Sequence, residues 1–193
     1  MSLLGSTGIW KPTRIALVAI VLSLVASAGI GIIIILVGDF DETEVKILAT
    51  TGALTVFSIL SLPSLFHLER NRYPHISKVA IFASIAFFGM ILLLIWGGDI
   101  GGGGTFWKIL GSAGVVSIGI NHSLLLLIPI PTKKLISLSQ TVTVSIIATV
   151  AVLILVAIWV GDLPGPFIRI LGALAILDAL GTVAVPMLVR ISK

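Results

Sequence analysis

Trp159-Val160-Gly161-Asp162-Leu163-Pro164-Gly165-Pro166-Phe167-Ile168-Arg169-Ile170-Leu171-Gly172 is a tight turn between two apolar runs. Upstream, Thr141–Gly161 contains no charged residue; downstream, Phe167–Val189 contains only Arg169 and Asp178. Each run has the length of about 20 residues that a helix needs to cross a hydrocarbon core of about 30 Å. Two such runs joined by a short glycine- and proline-bearing link form a membrane hairpin.

The same pattern recurs twice. Trp96-Gly97-Gly98-Asp99 leads to Lys108-Ile109-Leu110-Gly111, and Gly38-Asp39 leads to Lys46-Ile47-Leu48-Ala49. Trp96 and Trp159 each stand three residues before their aspartate, and seventeen residues beyond Lys46 and Arg169 stand Pro63 and Pro186. The middle copy departs from this, with Leu125 at that position and an insert, Gly101-Gly102-Gly103-Gly104. These alignments predict one membrane domain over residues 1–193, an all-α bundle of six transmembrane helices. Three tandem hairpins (14–70, 78–131 and 140–193) would be related by a pseudo-threefold axis along the membrane normal. The six spans read as Ile15–Gly38, Val45–His67, Val79–Gly97, Phe106–Ile128, Thr141–Gly161 and Phe167–Val189.

Composition agrees with that reading. Of 193 residues, 58% are hydrophobic and 10% charged, against roughly 25% charged in soluble domains, and the mean hydropathy is +1.24. So few charges cannot cover a globule in water, so a soluble domain is excluded. Lys11 and Arg14 followed by an apolar run and Ala26-Ser27-Ala28 resemble a cleavable signal. The run continues through Ile32, Ile33, Ile34 and Ile35, and so reads as a signal anchor and first membrane helix. The absence of cysteine removes thiolate metal sites, thiol nucleophiles and disulfides.

Charge distribution predicts orientation. The N-terminus, the two longer connections and the C-terminus hold nine basic residues, Lys11, Arg14, Arg70, Arg72, Lys78, Lys133, Lys134, Arg190 and Lys193. The hairpin-turn side holds three, Lys46, Lys108 and Arg169, together with Asp39, Asp41, Glu42, Glu44, Asp99 and Asp162. Positive-inside topology therefore puts both termini in the cytoplasm, with a prokaryotic plasma membrane as the expected location. No basic run is long enough for nucleic acid.

Repeat columns on the even helices predict their packing face. Counted from the basic residue, they read Ala49, Gly111, Gly172; then Gly52, Gly114, Ala175; then Thr55, Ser117, Asp178; then Ile59, Asn121, Thr182. Steps of three and four keep these on one face, and small or hydroxylated residues favour close helix approach. The even helices are expected to form an inner ring.

Candidate sites are few. Asp178 falls near mid-depth, where an aspartate costs about 2.5–3.5 kcal/mol to insert; it reads either as a proton, cation or partner-contact site or as a core acid that hydrogen-bonds Ser117, Asn121 or Thr55. His122 beside Asn121 reads as a polar core histidine, because no second histidine matches its depth for bis-histidine ligation. Asp39–Lys46, Asp99–Lys108 and Asp162–Arg169 are expected to form ion pairs that close each outer turn. The run Gly97–Gly104 lacks the Lys-Ser/Thr ending of a phosphate loop and reads as a turn. Zinc spacings, nucleophile elbows and soluble domains are absent from the sequence, so no metal, cofactor or catalytic role is expected. Two functions remain. One is a non-catalytic subunit or scaffold that packs in the bilayer against other membrane proteins or itself. The other is a small proton- or cation-coupled transporter or channel that uses Asp178.

Overall fold

The computed structural model describes residues 12–37, 41–98, 103–131, 133–161 and 164–191. They form six helices: α1 (Pro12–Val37), α2 (Glu42–Glu69), α3 (Pro74–Trp96), α4 (Gly104–Leu126), α5 (Lys134–Val160) and α6 (Gly165–Ile191). Helices α2 to α6 are long and apolar enough to cross a membrane, and α1 contributes a shorter described apolar stretch, Leu17–Ile33.

The helices run further than hydropathy alone indicates. The basic connection between the second and third spans is mostly helical, leaving only Arg70–Tyr73 between α2 and α3. Asn71 and Tyr73 make that link short by adopting left-handed φ values of 52° and 51°. Such a conformation is tolerable for asparagine and costly for tyrosine, and the Tyr73 ring lies 5.7 Å from that of His67. Pro74 then opens α3 at a position where a missing N–H costs nothing. Similarly, α5 starts at Lys134, before the apolar run that begins at Thr141. At the other end of α5, Gly161 takes φ 87° and stops the helix.

Consecutive helices touch throughout, and α4 also touches α2 and α6. Among the described residues α6 meets neither α1 nor α2, so the contact that would close a threefold ring is not made. The helices form an open series with α4 at its middle, and the even helices are a row where an inner ring was expected.

The links within that series use the same groups twice. Trp96 on α3 donates its indole N–H to Thr50 Oγ1 on α2 at 3.0 Å, with Lys46 Nζ 5.9 Å from the ring centroid. Trp159 on α5 donates to Ser112 Oγ on α4 at 3.1 Å, with Lys108 Nζ 5.8 Å from its ring. Thr50 and Ser112 in turn donate to the carbonyls of Lys46 and Lys108, both at 2.7 Å. Each end of the series lacks half of this clasp. Four residues after Arg169 stands Ala173, without a hydroxyl, and Leu36 holds the position three before Asp39.

Burial is inverted relative to a soluble protein. Among the described residues eleven polar side chains are buried against eight hydrophobic ones, while large apolar side chains such as Leu22, Phe82 and Ile176 face outward. In lipid the apolar exterior costs nothing, and hydroxyls that bond across helices provide the directional contacts. Ser23 and Thr55 join α1 to α2 at 2.5 Å, and Ser84 and Ser117 join α3 to α4 at 2.9 Å.

Candidate intramembrane site

Helix α4 presents different chemistry on two sides. Toward α3 it buries Ser117 and Asn121. Asn121 Nδ2 donates to Ser84 Oγ at 3.0 Å and to the Ser117 carbonyl at 2.9 Å. This patch continues into α2 and α3 as buried Ser58, Ser61, Ser64 and Ser77. Asn121 Oδ1, Ser61 Oγ and Ser77 Oγ are buried without a hydrogen-bond partner.

The last carbonyls of a helix need outside donors, and neighbours supply them at the end of α4. His67 Nε2 lies 2.9 Å from the Leu124 carbonyl; because a carbonyl only accepts, the imidazole proton sits on Nε2. Gln140 Nε2 donates to the carbonyls of Leu126 and Pro129 at 3.0 and 2.9 Å, and Arg72 Nη1 to that of Ile128 at 3.3 Å. His67, read from sequence as an edge residue, is fully buried. Gln140, read as lying outside the fifth span, is buried too.

Toward α6, α4 presents His122. Its Nε2 lies 2.9 Å from Thr182 Oγ1, and Thr182 Oγ1 donates to Asp178 Oδ1 at 3.3 Å. With the Thr182 proton directed to the carboxylate, the hydroxyl oxygen accepts from Nε2–H. His122 Nδ1 then faces Asp178 Oδ2 across 4.0 Å. Two proton-binding atoms, Nδ1 and Oδ2, are thus held opposite each other, at the middle of α6 and near the end of α4. Pro186 adds a backbone acceptor: it has no N–H to give the carbonyl four residues earlier, that of Thr182.

The reason Asp178 is available lies in its column. Its counterparts Thr55 and Ser117 are occupied within their own hairpins by Ser23 and Ser84. In the third hairpin the wall facing Asp178 includes Ile147, which offers no hydrogen bond. Both line a cavity of about 230 Å³ between α4, α5 and α6, with His122, Val115, Gly119 and Ile154. The carboxyl therefore turns to α4, and its partners are His122 and Thr182, not Ser117, Asn121 or Thr55. Helix columns identify residues sharing a face; they do not identify the helix opposite.

Of the outer-turn pairs, Asp39, Asp99 and Asp162 lie outside the described residues. Lys46 pairs with Glu42 at 2.6 Å, one helical turn away. Lys108 Nζ donates to the Trp159 carbonyl at 3.3 Å, and Arg169 is exposed. Among the described residues no group of three or more His, Asp or Glu side chains is placed to hold a metal ion. No protein-family model matches the chain, nor does any curated protein or solved structure.

Proposed function

We propose that the chain is a non-catalytic multi-pass membrane subunit or scaffold, built of three tandem hairpins with both termini in the cytoplasm, that packs against other membrane proteins through α6. One observation carries this reading: the same small-residue columns are covered on α4 and bare on α6. A Cβ added to Gly114 would meet the Phe87 ring at 3.0 Å, and one added to Gly111 would meet Ile158 at 3.3 Å. At Gly172, the equivalent position on α6, nothing lies within 4 Å, and Ala175 is exposed. A face suited to close helix approach is thus filled on α4 and open on α6, and the equivalent Gly52 on α2 also has nothing within 4 Å. The repeated Trp96 and Trp159 clasps support the tandem reading, and the nine-to-three distribution of Lys and Arg supports the orientation.

Purification from native membranes in a mild detergent tests the assignment. Stoichiometric association with another membrane protein, lost in Gly172→Leu but retained in the wild type, is the expected result. A monodisperse lone species from native membranes, unchanged by that substitution, contradicts it.

A second reading rests on Asp178 and His122. An acid and an imidazole that face each other between α4 and α6 beside a 230 Å³ cavity have the composition of a proton or cation relay. Liposomes containing the purified chain test this directly. Proton-coupled flux in the wild type that disappears in Asp178→Asn would make transport the function, whereas no flux in either supports the subunit reading.

A further inference from the structure

We infer that the basic end of the bundle holds an anionic phospholipid in a cleft between α1 and α4. The cleft has a volume of about 650 Å³ and lies where α1 begins and α2 and α4 end. Helices α1 and α4 do not touch among the described residues; α2 forms the floor between them, so the cleft opens sideways. Leu17, Phe66 and Leu125 are among its apolar walls, and Arg14, Arg70 and Glu69 stand at its mouth.

Three features select the ligand. The walls are apolar and Leu17 and Leu125 are exposed, so the bilayer itself supplies the natural occupant, an acyl chain. The rim carries two guanidinium groups against one carboxylate, which favours an anion. Among the described residues Arg14 and Arg70 make no ion pair, and Arg70 is held in place by stacking over Phe66, 4.0 Å from the ring centroid. Guanidinium groups match phosphate oxygens in pairs, and basic pockets between helices at a membrane surface are suited to acidic headgroups. A free phosphate would use the arginines but leave the apolar walls unfilled, so the ligand is the lipid. This inference rests on the bilayer-spanning reading, not on the subunit assignment.

Native mass spectrometry of the full chain, with phosphatidylglycerol, phosphatidylcholine or glycerol 3-phosphate added in equal amounts, provides the test. The expected result is preferential retention of phosphatidylglycerol, weakened roughly 5-fold by Arg14→Gln or Arg70→Gln and about 30-fold by both together. Leu125→Trp, which fills the cleft and keeps the charges, should lower retention of both lipids. Arg14→Lys and Arg70→Lys keep the charge but lose the paired hydrogen bonds, so they serve as folding controls and should retain a preference between that of the wild type and that of the Gln variants. Equal retention of the two lipids, an unchanged preference in the double Gln variant with native helicity, or glycerol 3-phosphate binding as tightly as the lipid would overturn the inference.

Discussion

Trp96 donates to Thr50 across the α2–α3 contact at 3.0 Å, and Trp159 repeats that bond to Ser112 across α4–α5 at 3.1 Å. The α2–α3 and α4–α5 contacts are therefore both joined by an indole N–H donated to a hydroxyl. An arrangement that adds each unit to the last in one sense gives an open series unless its rotation closes it. Here the terminal units lack the complementary halves, with Ala173 at one end and Leu36 at the other.

If the two clasps are equivalent, Trp96→Phe and Trp159→Phe should cost similar amounts. Interhelical hydrogen bonds in membranes contribute about 0.6 kcal/mol on average. A double-mutant cycle of Trp159→Phe with Ser112→Ala, measured by unfolding in detergent, should give a coupling of about that size. A coupling near zero would mean that the indole bond contributes nothing to the joint.

Gly181 is where α5 and α6 approach most closely among the glycines for which contacts are described: an added Cβ would come 2.6 Å from Thr143 Cγ2. We expect Gly181→Ala to lose about 1–3 kcal/mol through overpacking. Gly172→Ala, in open space on the same helix, should be neutral or slightly stabilising in the isolated chain, since alanine is the better helix former. Equal effects at the two positions in detergent unfolding would contradict this packing of α6.

Asp178→Asn retains an oxygen that can accept from Thr182, so folding should change by less than about 1 kcal/mol. Asp178→Leu removes that acceptor, leaving Thr182 and His122 to share one fewer partner, at a cost of about 1–3 kcal/mol. Thermal unfolding of both variants beside His122→Phe checks this. If Asp178→Leu unfolds with the wild type, the His122–Thr182–Asp178 chain has no structural role.

Much of this architecture is legible in the sequence, for a physical reason: each long apolar run can satisfy its backbone only as a helix in lipid. The turns at Gly98 and Gly161 are equally legible, since both adopt positive φ, as glycine readily does. The helix ends are less so. Gln140 and His67 look like boundary residues because they are polar, yet both are buried to cap α4 carbonyls from other helices. The site at Asp178 was legible in its residues and not in its pairing. Ser117, Asn121 and His122 share one helix, but only His122 projects toward α6. Closure of a ring likewise depends on the angle between successive hairpins, which a column alignment does not contain.

The proposed orientation, with both termini cytoplasmic, rests on the charge distribution and can be tested chemically. Because the chain has no cysteine, single cysteines replacing Arg70, Lys133 or Asp99 report accessibility without background. In intact cells an impermeant thiol reagent should label position 99 and spare 70 and 133. The opposite pattern would invert the proposed topology.

The bare face of α6 decides the subunit assignment, and a photo-cross-link reads it in place. A diazirine side chain at Ala175, which is exposed, is compared in native membranes with one at Leu124, which is 1% exposed. We expect a discrete adduct joining position 175 to a second polypeptide, and only intramolecular products from position 124. Adducts to lipid alone at position 175 would contradict the account.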